Sequence, residues 1–437
     1  MARRAADRFS TGGHGKPGVG LSPTWDVSWR QVPVRLDAER WATRPGCRTV
    51  LTVVHTVTTG QRLLDTIRLL EGDLRVQVVF TMAPDVFSNG VPEFLAGLRG
   101  VVVPWEQAVE TRFDLALAAG YEGIHQLHAP VVVLPHGAGY NKVVVDGHRP
   151  RAAQDSGAYG LSRQWLIRDS AVVPAAIALS HREELVRLGH ACPEATSVAS
   201  VVGDFRYDRI RASMPLRAVY RVALGAKTSQ RLVVVTSTWG PKSLLARNSE
   251  LLERLVAELP RDEYRVALLL HPNAWNAHGE WQIRAWLARL RRAGLALVTQ
   301  HADWCGVLVA ADHIIGDHGS MTLYGTVAGA SVLLATYPDT GVDPGSPMAE
   351  LGSLAPRLNL DRPLARQLAG NSRTQRHDDF ARVAARISSE PGRFARNMRT
   401  LMYRKLRLRA PRQHFPEVEP ADPPVLVQAQ IEESAAS

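Results

Sequence analysis

Short runs of apolar, mostly β-branched residues recur along the chain, each followed by a longer stretch with apolar positions three and four apart. TVLTVV (49–54), VQVVF (76–80), VVVP (101–104), VVVLP (131–135), AAIALS (175–180) and VASVVG (198–203) have strand length. Between several of them lie helical patterns such as GQRLLDTIRLLEGD and SHREELVRLG. Strands that are apolar throughout, rather than at alternate positions, are covered on both faces, so the pattern predicts a parallel sheet flanked by helices. A charged, poorly periodic stretch over 206–230 interrupts the series. It restarts with LVVVTS (232–237), VALLLHP (266–272), LALVT (295–299), HIIGD (313–317) and SVLLATYP (331–338). SELLERLVAELP and EWQIRAWLARLRRAG supply helices between them.

The fold class implied is α/β: two doubly wound Rossmann-like domains facing a cleft, joined by a linker near 214–230, with a C-terminal helical region. The expected divisions are a loose arm over 1–45, docked in part through Trp25, Trp29 and Trp41, and a first domain over 46–215. A second domain over 228–370 follows, then a basic helical region over 371–412 that folds back towards the first domain. The acidic, proline-rich residues 413–437 are predicted to be a disordered tail.

Composition narrows the picture modestly. With 437 residues, 45 % hydrophobic and 22 % charged, the chain is an ordinary globular protein, and wholesale disorder is excluded. Its net charge of +10 favours an anionic partner: a phosphorylated ligand, a lipid headgroup or nucleic acid. Cys47, Cys192 and Cys305 are far apart and form no CxxC, which argues against a disulfide framework or a thiolate zinc site. No segment approaches the roughly 18 uninterrupted apolar residues of a membrane span. The start MARRAADRFSTGGHGKPG has no apolar core of an export signal, so a cytoplasmic protein is expected.

Between Pro391 and Pro416 there are eight Lys/Arg and no acidic residue. On a helix, Phe394, Met398, Leu401, Met402, Leu406 and Leu408 share one face, with Arg393, Arg396, Arg404 and Arg407 opposite. Two readings stand: a basic helix over 393–412 lying on the inner face of an anionic membrane, or a last helix packed across the domains. Nucleic acid is not expected as a partner, because no helix-turn-helix or aromatic–basic interleaving accompanies the charge.

Ligands of open α/β sheets bind outside the carboxyl ends of the strands, which directs attention to five polar strand ends. In HTVTTGQR (55–62), Thr58, Thr59 and Gly60 either offer hydroxyls and amides to a ligand or supply a helix N-cap. In LPHGAGYNK (134–142), His136 follows a buried strand, and Gly137 and Gly139 let the backbone bend and approach a ligand. A neutral imidazole there can take a proton from an attacking hydroxyl, and Lys142 adds a cation; a histidine bonded to a neighbouring loop is the alternative. In TSTWGPKSLL (236–245), Ser237 and Thr238 either line a diphosphate or belong to an ordinary loop. In LLLHPNAW (268–275), Pro272 stiffens the turn behind His271. In DHIIGDHGSMTLYGTVAGASVLL (312–334), the strand ends at Asp317, His318, Gly319 and Ser320, where a small-residue helix begins. Gly319 and Ser320 would present free N–H groups and a hydroxyl that hold a phosphate without a metal, unless Asp317 simply caps the helix.

This order of HG…K, a later HP at a strand end and the 312–338 block resembles the CDP-glycerol glycerophosphotransferase family, the teichoic-acid primases and polymerases. That family belongs to the GT-B superfamily, and there is distant similarity to UDP-N-acetylglucosamine 2-epimerase. The resemblance covers roughly 49–337, and VVGDFRYDRI (201–210) resembles the segment that ends the first domain there, with Gly203 and Asp208 at matching places. It implies His136 as the base of the acceptor half and His271 as a donor-pyrophosphate contact. It also implies Asp317, Gly319, Ser320, Met321 and Thr322 as the turn that receives the donor phosphates, with His318 where the family has an aromatic residue. The chain departs from the family in HGAGYNK, which sets Lys142 one place further on, and in DHGS and TSTWGP.

The activity implied is a metal-independent transferase with no cofactor. It would move a glycerophosphate-like or glycosyl group from a CDP- or UDP-linked donor to an acceptor hydroxyl. The alternatives are a UDP-sugar 2-epimerase-like enzyme, for which Asp317 and Asp204 are the available carboxylates, and a GT-B protein that binds a nucleotide without turnover.

Overall fold

A computed structural model describes residues 30–34, 42–143, 158–373, 377–412 and 417–428. Trp25, Trp29 and Trp41 lie outside the described residues. Of the expected arm, Val32 and Val34 are buried against the first domain.

The strands are β1 (Arg48–Val54), β2 (Val76–Met82), β3 (Val102–Val103), β4 (Leu115–Ala118), β5 (Val131–Val133), β6 (Ile167–Arg168), β7 (Ala171–Val172), β8 (Ala176–Leu179) and β9 (Ala199–Val201). They continue with β10 (Arg231–Ser237), β11 (Tyr264–Leu270), β12 (Ala296–Leu297), β13 (His313–Gly316) and β14 (Ser331–Leu334). Seven of them form one parallel sheet in the order β3-β2-β1-β4-β5-β8-β9, and β6 pairs with β7 as a small antiparallel ribbon. The second sheet, also parallel, runs β12-β11-β10-β13-β14.

Both faces of each sheet are covered, as continuous apolar strands require. Leu51 and Val53 pack into one core of the first domain, and Val50 and Val54 into the other. Val234 and its neighbours Val233 and Val235 divide the second domain in the same way. Strand order reverses beside β1 in the first sheet and beside β10 in the second, so each domain opens a crevice there, at the strand carboxyl ends. The pattern misses β4, whose LALA carries no β-branched residue.

Two expectations are corrected. The expected linker over 214–230 is not a bare connection: the helix Arg217–Ala223 lies in it, and this helix and the one before it, Phe205–Ser213, pack on the second-domain helix Trp304–Ala310. The periodicity over 206–230 is invisible because the buried face of the helix Phe205–Ser213 holds Asp208 and Arg209 beside Phe205 and Ile210. Nor is the C-terminal segment a disordered tail throughout. Residues 425–427 pair alongside β12, with Leu426 opposite Val298, Thr299 N donating to Val425 O at 3.0 Å, and Val427 N donating to Leu297 O at 2.8 Å. The pairing residues, Val425, Leu426 and Val427, form an apolar run too short to stand out from the acidic, proline-rich residues around it.

The helix Phe394–Leu406 buries Phe394, Met398, Leu401, Met402 and Leu406 in the first domain's core beside Val50, Leu117 and Leu134. Its apolar face is therefore covered by protein, and Arg393, Arg396 and Arg404 point outward. Among the described residues, no helix is long and apolar enough to cross a membrane.

Candidate functional site

The helix Val57–Ile67 begins where β1 ends, and Thr56, not Thr58 or Thr59, is its cap. Thr56 Oγ1 accepts from Thr59 N at 3.2 Å, and Thr59 Oγ1 accepts from Thr56 N at 2.9 Å, a reciprocal capping box. Thr59 is thus a structural residue, and Gly60 abuts the Phe94 ring rather than a ligand. Thr58 lines the cleft between the domains, its hydroxyl buried and without a partner among the described residues.

His136 follows β5 and faces the same cleft, half-buried, its ring centroid 6.2 Å from that of Tyr159. Burial first, then the charges of Lys142 and Arg62, lower its pKa to about 4, so the imidazole is neutral near pH 7. The glycines behind it have steric reasons. A Cβ on Gly137 would stand 2.5 Å from Ser320 Oγ, and Ala138 N donates to that same hydroxyl at 3.3 Å. Gly139 has φ +74° and packs on the buried carboxylate of Glu184, which accepts from Ser180 N at 2.7 Å and Tyr140 N at 3.2 Å. This turn then clasps the second domain: Asp343 N donates to Asn141 O at 2.8 Å and Val143 N to Gly341 O at 3.1 Å. Lys142 lies between these bonds at the exposed rim, where its charge acts on His136, His271 and His318.

From the second domain, His271 caps the helix Pro272–His278 through Nδ1, which accepts from Asn273 N at 3.1 Å. That bond leaves the proton on Nε2, a donor available to the cleft. Burial, Lys142 and His136 push its pKa down to about 3. Asp317 does not face a ligand. Its Oδ2 accepts from Thr238 N at 2.9 Å, Thr238 Oγ1 at 2.6 Å and Leu244 N at 3.0 Å, and its Oδ1 accepts from Gly319 N at 3.0 Å. The carboxylate ties the loops after β10 and β13 together, and the Gly319 N–H expected for a phosphate is committed to it.

Two further candidates are also supports. Ser237 Oγ donates to Thr238 O at 2.9 Å and accepts from Leu245 N at 3.3 Å. Thr322 is fully buried, 3.0 Å from the Thr236 hydroxyl. Thr238, His318, Gly319, Ser320 and Met321 do line the cleft. His318 is lowered by burial, with Asp317 opposing, and its Nδ1 is without a hydrogen bond among the described residues.

Sequence reading missed Arg62, Tyr159, Trp239 and Tyr324, which also line the cleft. Arg62 Nη2 pairs with Asp204 at 2.9 Å, and the Tyr324 hydroxyl donates to the same carboxylate at 2.9 Å. Asp204 is fully buried and caps the following helix through Tyr207 N, so it is not free for acid–base work. Arg62 and Trp239 stood inside motifs already singled out, whereas nothing marked Tyr159. Among the described residues, no group of three or more His, Cys, Asp or Glu is placed to hold a metal ion.

No family model and no curated protein matches the chain. Solved structures do. A histidine-to-alanine variant of the wall teichoic acid polymerase TagF aligns with TM-score 0.57 and 13 % identity over 82 % of this chain and 89 % of that one. TagF itself gives 0.55 and 11 % over the same shares. HepE of Anabaena in complex with UDP aligns over 82 % of this chain and 99 % of that one at 12 % identity, with TM-score 0.44. The fold is GT-B: two Rossmann-like domains with their strand carboxyl ends turned to a common cleft.

Proposed function

We propose that the chain is a transferase that moves a glycerophosphate-like or glycosyl group from a nucleotide-activated donor to an acceptor hydroxyl. The observation that carries this reading is the meeting of the HGAG turn with Ser320 across the cleft, which brings His136, His271 and a helix start to one space. A TagF variant has been solved after soaking with CDPG, which supports a CDP-linked donor, with a UDP-linked one as the other choice.

In this scheme neutral His136 accepts the acceptor's hydroxyl proton as that oxygen attacks the donor's phosphorus or anomeric carbon. The bond from that centre to the nucleotide's phosphate oxygen breaks, and the nucleotide leaves with the electron pair. Charge growing on it is met by His271 Nε2–H and the start of the helix Ser320–Tyr324, groups already in position before reaction. Thr58, Gly137 and Lys142 belong to the acceptor side; Asp317, Ser237 and Thr322 hold the frame. No step calls on a cofactor. A cytoplasmic location suits a nucleotide-activated donor, and any contact with an anionic membrane would run through the outward arginines of 393–412. The epimerase-like alternative needs free carboxylates, and both of its candidates are committed elsewhere.

A thermal-shift panel of CDP-, UDP- and GDP-linked donors, followed by mass spectrometry of products, tests the reading. The donor that stabilises the chain should be consumed. His136→Ala should lower turnover by about 10²–10⁴ with nucleotide binding nearly intact. Full activity in that variant removes His136 from the mechanism, and stabilisation without product favours a binding protein.

A further inference from the structure

Beyond His136 the cleft widens into a chamber of about 1960 Å³, open mouth included. Aromatic rings from both domains wall it. Tyr159 stands edge-on to Trp165 at 4.6 Å, and Phe87, from the loop after β2, stands edge-on to Trp239 at 4.6 Å across the domain boundary. Phe87 is 47 % exposed, an aromatic side chain that the core does not need. Two carboxylates, Asp85 and Glu122, line the same chamber, and both bear on Tyr159, whose phenol burial and these charges push up to about 12. Lys142 and Lys242 line it too, so the fixed charges balance.

We propose that this chamber is the acceptor site and that the acceptor presents a neutral sugar ring. The inference rests on the transferase reading above. The C–H face of a sugar is apolar and lies well on the negative face of an aromatic ring. Its hydroxyls donate to carboxylates in charge-assisted bonds and accept from ammonium groups, and the chamber supplies both. Stacking on Tyr159 sets a ring hydroxyl near His136, whose ring centre is 6.2 Å away. A chain of phosphodiesters would meet Asp85 and Glu122 as well as Lys142 and Lys242, so the chamber's balanced charge offers it no net attraction.

Saturation-transfer NMR on the full chain, loaded with the nucleotide that the thermal-shift panel identifies, tests this. The probes are the methyl glycosides of glucose, galactose, mannose and N-acetylglucosamine, with sn-glycerol 3-phosphate as the anionic competitor. At least one glycoside should show ring-proton transfer. Phe87→Ala and Tyr159→Leu should weaken it about tenfold and Glu122→Gln about threefold, with nucleotide affinity within about twofold. Should Tyr159→Leu fail to fold, the exposed positions Phe87 and Glu122 carry the test. A nucleotide-bound chain that binds none of the glycosides, prefers glycerol 3-phosphate, or binds them equally in all folded variants overturns the acceptor inference and leaves the transferase reading standing. A chain that binds no nucleotide overturns both.

Discussion

His136 and His271 are alike in one respect: the protein disfavours their charged forms, chiefly by burial, and holds them near pKa 4 and 3. In the unfolded chain a histidine titrates near 6.5. Between about pH 6.5 and 4 the unfolded state therefore binds protons that the folded state refuses. The contribution to stability is complete above pH 6.5 and is lost as pH falls through that window. Thermal midpoints at fixed ionic strength should fall from pH 7 to pH 4.5. His271→Asn keeps an acceptor for Asn273 N but removes the titration, so its curve should be shallower; parallel curves would refute the assignment. Turnover should be level from pH 6 to 8, since a base with a pKa near 4 is fully available there, and should decline only as pH approaches that value.

Three helices meet at Asp204. Arg62 reaches it from the helix Val57–Ile67, Tyr324 from the helix Ser320–Tyr324, and Tyr207 N from the helix that Asp204 itself caps. The pair with Arg62 is out of water, at 4 % and 0 % side-chain exposure. Asp204→Ala leaves a buried guanidinium uncompensated, and urea unfolding should show a loss of about 3–5 kcal/mol. Arg62→Met combined with Asp204→Asn removes both charges and keeps the cap, so it should recover much of that loss. Equal destabilisation by the two variants would refute the uncompensated charge as the source of the loss.

These elements also mark where the sequence was readable. Strands such as β10 and β13 were legible because burial on both faces demands an unbroken apolar run. The helices over 205–223 were not, because ion pairs stand where leucines would otherwise give the period: Arg206 with Asp65 at 2.7 Å, and Arg209 with Asp303 at 2.7 Å. At the site, position was legible and role was not. Asp317 and Ser320 both follow a strand, but only coordinates show that one carboxylate accepts from three amides and a hydroxyl while the neighbouring hydroxyl meets the other domain.

The chain's path binds the two domains together. After the second sheet, the helix His377–Ala385 packs on the second-domain helix Pro347–Leu354, the helix Phe394–Leu406 returns to the first domain, and 417–428 crosses back to β12. This last crossing covers the edge of the second sheet, and Tyr220 OH anchors it by donating to Ala421 O at 2.8 Å. It also supports the cleft, because Thr299, whose N–H donates to Val425 O, and Gln300 line the wall opposite the first domain. Ending the chain after Arg412 would open an unpaired sheet edge, a template for self-association. The thermal midpoint should fall by about 2–4 °C for each kcal/mol lost. Amide exchange at Thr299 should quicken while exchange along β1 stays unchanged. If the segment is a buttress for the cleft, nucleotide affinity should fall in the same variant, even though no described residue beyond Arg412 lines the space between the histidines. Unchanged exchange at Thr299 and unchanged affinity would reduce 417–428 to a passive strand on the surface.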